Sequence, residues 1–267
     1  MDVKERLLSS YPGAVIHRFF ELELLDKCFG LAAQAFVSLL PLLIVVVSVF
    51  VDSPGEVISA QIGDRFGLDD AARAALRALF TASAGVVTIS WLAILMSLLS
   101  AFSLSRRLSR VYASIFGLPS LQRDQLWRGV VWIGLQIVLF AAASGLRDVR
   151  RSTGALGATL AIILLLTVWF LADVGGLRLL VPSVPRRLLV PTAVVAGIGR
   201  AGVTVWAAVY MPATLSSQAE QYGPIGVTFA LFTYILVAVF VYVGAPLLVA
   251  VWGTWRSGAK EPALVDE

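Results

Sequence analysis

Charge is absent from six long stretches of this chain: residues 28–51, 78–105, 129–146, 152–172, 188–219 with Arg200 as the one interruption, and 221–255. An α-helix rises about 1.5 Å per residue, so about 20 apolar residues cross a hydrocarbon core of about 30 Å. Each stretch is long enough to span. Hydrophobic residues make up 58% of the 267 and charged residues 14%, too few charges to form the polar shell that six buried helices of a soluble domain would need. The sequence therefore predicts an all-α fold, a polytopic membrane protein built as a six-transmembrane-helix bundle.

Six spans leave room for one integral membrane domain over residues 1–252, with short connections and a short polar tail over 253–267. Nine charges precede the first apolar stretch. That stretch begins too late and runs too long for a cleaved signal peptide, so the first span is expected to stay. Cys28 and His17 are each the single residue of their type, which excludes an intrachain disulfide, a cysteine metal site and a histidine cluster. P-loop, dinucleotide, His-x-x-x-His and Gly-x-Ser-x-Gly patterns are absent, so neither an enzyme nor a cofactor or metal site is expected. The net charge of +4 comes from basic residues scattered through short loops, which argues for a topology signal rather than a nucleic-acid face.

Basic residues are retained on the cytoplasmic side during insertion. Fourteen Lys and Arg fall on the side shared by the termini and by the connections between spans two and three and spans four and five; six fall on the other side, and Arg200 completes the 21. Both termini are expected to be cytoplasmic, in a multi-pass membrane protein.

Several local patterns refine this picture. Over about residues 11–27, Ile16, Phe19, Phe20 and Leu24 share one helical face, with Arg18, Glu21 and Asp26 largely elsewhere. Such a helix either lies in the headgroup plane among membrane lipids or packs on the cytoplasmic end of the bundle. Asp69 or Asp70 can cap a helix from Ala71 whose apolar side carries Leu76, Leu79 and Phe80. Leu104, Leu108, Val111, Tyr112 and Ile115 continue the second span at helical spacing, opposite Arg106, Arg107 and Arg110. Pro191 and Pro224 suit first-turn positions of spans five and six. Pro41, in a span that also carries Gln34, and Pro246 interrupt the first and sixth spans, as prolines do where helices line cavities and also where a kink merely packs.

Arg200 is the costliest residue, at about 3 kcal/mol for an arginine at the centre of a span. At about 100° per residue it shares a stripe of small residues with Ala193, Gly197, Ala201, Thr204 and Ala208, which suits close helix approach. It is expected at the depth of Gln136 and Tyr234. Arg200, Gln136, Tyr234 and Gln34 are the candidate polar cavity; the alternative is a structural arginine satisfied by Gln136, a hydroxyl and backbone carbonyls. Asp173, toward the cytoplasmic end of span four, is expected to be too distant in depth to pair with it.

The run from Gly30 through Gln34, Ser38 and Pro41 to Leu43 resembles the first-span signature of the YihY/BrkB family of bacterial inner-membrane proteins. Three further pieces match in order: the second span running into Ser105-Arg106-Arg107-Leu108-Ser109-Arg110-Val111-Tyr112, the Pro-led fifth span ending at Tyr210, and Tyr222-Gly223-Pro224-Ile225-Gly226 opening the sixth. The resemblance covers essentially the whole chain. It implies six inner-membrane helices with cytoplasmic termini and a role in the envelope, some relatives being associated with serum resistance and others with export of lipid-linked material. Family members often carry an acid late in the sixth span, where this chain has Gly244-Ala245-Pro246. Relatives once bore the label ribonuclease BN, which the residues of this chain do not support.

Two functional expectations follow. The first is transport or export of an amphiphilic or anionic envelope component, such as a lipid-linked substrate. The second is a non-transporting scaffold or regulator of an envelope-biogenesis enzyme, acting through an envelope protein partner or as a homo-oligomer. No nucleic acid is expected as a partner.

Overall fold

The computed structural model describes residues 10–48, 59–60, 62–64, 66–84, 91–119, 127–136, 138–139 and 155–257. Among these residues the fold is all-helical, without a β-strand. The longer helices among the described residues are α1 (Tyr11–Glu21), α2 (Leu24–Ser48), α3 (Asp70–Ala84), α4 (Trp91–Phe116), α5 (127–136), α6 (Ala155–Leu180), α7 (Arg186–Tyr222) and α8 (Pro224–Ser257). Three segments among the described residues are long and apolar enough to cross a membrane: Ile163–Leu180 of α6, the whole of α7, and Pro224–Arg256 of α8. At 37 and 34 residues, α7 and α8 contain about 50–55 Å of helix measured along the chain, more than a hydrocarbon core is thick. The ends of the third charge-free stretch, beyond residue 139, and of the tail, beyond 257, lie outside the described residues, as do the side chains of Pro41, Leu79 and Phe80.

Helix ends follow local chemistry. Ser10 caps α1, accepting from Gly13 N at 3.3 Å. The helix stops at Glu21, short of the expected end near residue 27, because Glu23 takes a left-handed conformation at φ 50°. Leu24 then starts α2 and is fully buried, whereas Ile16 and Phe20 are 58% and 66% exposed. The apolar face read from the sequence as continuous is thus divided between two helices. No glycine or proline signals the break.

Gly117, at φ 66°, ends α4, and Leu118 N donates to Ala113 O at 2.9 Å, the Schellman closure that a glycine makes cheap. Gly223 ends α7 in the same left-handed region, with its N–H on Ala219 O at 2.9 Å, and Pro224 opens α8 at once. A proline costs nothing there because a first-turn N–H has no helical acceptor. Three residues on, Gly226 passes so close to the Gln218 carbonyl that a Cβ would collide with backbone. Each conspicuous residue of the Gly223-Pro224-Ile225-Gly226 turn therefore has its own steric reason.

Pro191 departs from expectation: α7 starts at Arg186, so Pro191 lies in the second turn. Pro212 is also inside α7, which carries the helix past Tyr210 to Tyr222.

The chain divides into two compact units: Met1–Lys27, Ser105–Gly199 and Val241–Glu267 form one; Cys28–Leu104 and Arg200–Phe240 form the other. The second unit has a core in which Phe66, Leu68, Ala72 and Leu76 meet Ala207, Met211, Leu215 and Ala219 of α7 and Val227 and Ala230 of α8. The four α7 residues recur every fourth position and so form one stripe along the helix. Asp69 fixes the start of α3, its Oδ1 accepting from Ala72 N at 2.8 Å. Arg73 ties the preceding turn down through Leu68 O at 2.9 Å and Asp64 Oδ1 at 3.0 Å. Within the same unit, Ser38 of α2 and Ser100 of α4 share a hydrogen bond of 2.5 Å.

The first unit is held by hydroxyls that serve helix ends and interruptions. Ser109, fully buried on α4, donates to Leu180 O at 2.7 Å, satisfying one of the carbonyls that the end of α6 leaves without a helical donor. Tyr11 donates to Leu248 O at 3.0 Å and sets its ring edge-on to Trp252 and Trp255, which fastens α1 to the last turns of α8. Gly199 lets α7 approach α8 closely, since a Cβ there would meet Val241 Cγ1 at 2.5 Å.

Candidate functional site

Within the first unit, residues of five helices line a pocket that includes several polar side chains. Tyr112 comes from α4, Trp132 and Gln136 from α5, and Ala172, Asp173, Gly176, Leu177 and Leu180 from α6. Thr192, Ala193 and Ala196 of α7 and Tyr242 and Pro246 of α8 close it, leaving a cavity of about 30 Å³.

Small residues create the space. Gly176 brings the Trp132 indole against α6, where a Cβ would lie 3.2 Å from Nε1. Ala193, 2% exposed, and Ala196 keep the α7 wall flat. Pro246 has no N–H, so the Tyr242 carbonyl four residues earlier loses its helical donor. The Tyr112 hydroxyl donates to that carbonyl at 3.1 Å. Thr192, 6% exposed, donates to Leu188 O at 2.7 Å. The Asp173 carboxylate adds acceptor oxygens to the same lining.

The sequence-predicted residues are distributed as follows. Gln136 lines the pocket, and Pro246 shapes it. Arg200, Tyr234 and Gln34 belong to the second unit. There Tyr234 packs edge-on to Phe66, ring centroids 5.6 Å apart. The Gln34 carbonyl accepts from Ser38 Oγ at 2.6 Å, and Pro41 lies inside α2. Arg200 is half-buried and its carbonyl accepts from Thr204 Oγ1 at 2.9 Å. Of its small-residue stripe, Ala193 is buried but Ala201, Thr204 and Ala208 are exposed. In the second unit the buried face of α7 is instead the neighbouring row through Val203, Ala207 and Met211.

Sequence reasoning set Asp173 aside because it weighed that acid only as a partner for Arg200. It passed over Thr192, and also Tyr112, for which a signal was present: a proline at 246 leaves the carbonyl of residue 242 wanting a donor. Which donor answers is a tertiary matter.

Among the described residues no three His, Cys, Asp or Glu side chains gather as a metal-ligand group. No family model, curated protein or solved structure matches this chain.

Proposed function

We propose that this chain is a multi-pass protein of a bacterial plasma membrane, of the YihY/BrkB kind, whose six spans move an amphiphilic or anionic envelope component. One observation carries the reading: polar side chains of five helices, including the Asp173 carboxylate, line a pocket beside Pro246, and three of those helices have segments long and apolar enough to cross a membrane. An acid inside a span costs about 3 kcal/mol, and such residues mark substrate and ion paths in membrane proteins. Arg200, also within an apolar helix, is the candidate for attracting the anionic group. The exposed Ile16 and Phe20, one helical turn apart on α1, support a helix lying in the headgroup layer with Tyr11 as its tether to α8.

A scaffold without transport is the second reading. An open groove on α7 favours it, where Val205 and Val209 are 66% and 78% exposed beside the stacked rings of Trp206 and Tyr210. Neither reading includes catalysis, and purified protein is expected to leave RNA intact with or without divalent metal.

Two measurements test the proposal. In a Cys28→Ser background, cysteines placed at Asp69 and Gln218 should react with a membrane-impermeant maleimide in intact cells and one at Ser257 should not; the reverse pattern inverts the topology. Mass spectrometry of lipids purified with the protein should show enrichment of one anionic envelope lipid over the bulk membrane, and Arg200→Gln should lose it. A lipid profile equal to the bulk membrane for both proteins would favour the scaffold.

A further inference from the structure

We propose that the start of α5 and the end of α6 form a binding site for the phosphate of an anionic phospholipid, with Arg128 and Arg178 as its cations. The two residues meet within the first unit. Arg128 Nη1 donates to the Arg178 carbonyl at 3.4 Å, a long bond that engages one of the five N–H donors of a guanidinium. The Arg128 Nε is enclosed by protein and has no acceptor. Among the described residues no carboxylate pairs with either arginine.

Two neighbouring cations without an acid raise the local potential and attract an anion. An enclosed N–H without an acceptor adds to that field, because neither water nor protein answers its share of the charge. Arg128 also complements the last carbonyls of α6, whose partial charge is negative. That role uses one donor and accounts neither for the enclosed Nε nor for a second arginine at the same place. Since Nε is enclosed, an arriving anion meets the terminal nitrogens, whose planar fork suits phosphate oxygens.

Depth selects a lipid as the source of the phosphate. The charge-free stretch 129–146 begins directly after Arg128, and Arg178 stands in the last turn of α6, where the membrane-capable segment Ile163–Leu180 ends. Both cations therefore stand at a boundary of the apolar layer. Trp127, 58% exposed, lies beside them with its ring 5.5 Å from Arg128 Cζ. An exposed indole at that level belongs to the headgroup layer, and its contact orients the guanidinium without neutralising it. Charge then selects among phospholipids. A zwitterionic headgroup would carry its own ammonium toward two arginines, whereas an anionic one brings the phosphate alone. The occupant is an ordinary phospholipid of the membrane, distinct from the component proposed to be moved. Its placement in the cytoplasmic leaflet rests on the topology proposed above; the phosphate chemistry does not.

The test is the melting temperature of the full chain in neutral detergent micelles doped with phosphatidylglycerol or with phosphatidylcholine, and in lipid-free micelles with inorganic phosphate, at constant ionic strength. A saturable rise is expected with phosphatidylglycerol and little change in the other two. Arg128→Gln and Arg178→Gln should each raise the half-saturating phosphatidylglycerol content about tenfold, the size expected for a lost charge-assisted hydrogen bond. Arg128→Lys should recover part of the response, since lysine keeps the charge but not the fork. Arg110→Gln, at an exposed arginine of α4, should leave it unchanged. If Arg128→Gln does not fold, Arg178→Gln decides, because it removes an exposed side chain and keeps the carbonyl that Arg128 contacts. Equal melting with the two lipids, an unchanged half-saturating content in Arg178→Gln, or an equal loss in Arg110→Gln overturns the site. Inorganic phosphate matching phosphatidylglycerol would overturn the lipid as its source. The maleimide pattern reads topology separately: an inverted pattern with a normal lipid response would move the site to the opposite leaflet, and the expected pattern without a response would remove the site alone.

Discussion

Tyr112 and Pro246 are coupled through a single carbonyl: the proline withholds the N–H that Tyr242 O would take within α8, and the Tyr112 hydroxyl of α4 supplies a donor at 3.1 Å. The bond converts a helix interruption into a link between two helices. It also orients the Tyr112 oxygen in the pocket, because the proton can point in only one direction at a time.

Tyr112→Phe should leave the Tyr242 carbonyl without that donor and destabilise the protein by about 1–3 kcal/mol. Pro246→Ala restores the helical N–H, so Tyr112→Phe should cost less in that background. A double-mutant cycle of melting temperatures in detergent measures the coupling. Strict additivity of the two substitutions would contradict the shared-carbonyl account.

The two close-approach glycines should respond differently to alanine. At Gly226 the obstacle is the Gln218 backbone, which cannot step aside; at Gly199 it is the Val241 side chain. Gly226→Ala should therefore be the more damaging, at the upper end of the roughly 1–3 kcal/mol range for overpacking. Gly199→Ala should be substantially rescued by Val241→Ala. Thermal unfolding of the four proteins checks both the order and the rescue.

Asp69 gives the fold an acid-sensitive contact. Its carboxylate is held below the ordinary value of 3.8 by the Ala72 N–H first and the Ser216 hydroxyl second. The depressed value means the unfolded chain takes up the proton more readily, so the contribution is fully present above about pH 4 and is lost as pH falls through the folded-state value. Asp69→Asn keeps a good helix cap but cannot titrate, and its melting temperature should fall less steeply than that of the wild type on acidification. Asp69→Ala should be weaker by about 1 kcal/mol at neutral pH. Parallel acid limbs for the wild type and Asp69→Asn would discount the titration.

Arg200 can be assigned by a pair of substitutions. If it grips an anionic group, Arg200→Gln should lose lipid enrichment at normal stability, and Arg200→Lys should recover it in part, because lysine keeps the charge but not the planar fork. If it is structural, Arg200→Gln should lower the melting temperature, with lipid enrichment falling only in step with lost protein. Normal values of both quantities in both variants would make it neither.

Much of the architecture was legible along the chain because the signals are local. Helix-forming apolar lengths, the Asp69 cap, and the glycine-then-proline turn at Gly223 and Pro224 depend on residues within a few positions of one another. Leu108, Val111, Tyr112 and Ile115 also fell buried as their spacing implied, with Arg106 and Arg110 exposed opposite. The pattern worked there because one face of α4 is charged and the other is not.

On α7 the same procedure had less to work with. A helix that is apolar all round has no face marked for burial by composition, and the row chosen from its small residues, through Ala201, Thr204 and Ala208, is exposed while the adjacent row is buried. The break at Glu23 was invisible for a related reason: no residue there prefers a left-handed backbone, and the fully buried Leu24 begins the next helix.

What the sequence by itself determined is a helical chain with segments long and apolar enough for a membrane, and the turns that punctuate them, since these depend on backbone geometry and hydropathy over short spans. Tertiary structure alone decided that Tyr112 would answer the carbonyl exposed by Pro246, and that Asp173 would share a pocket with Gln136 and Thr192. A hydrogen bond reaches only about 3 Å, so partners far apart in the chain are chosen by how helices pack and not by any pattern within one of them.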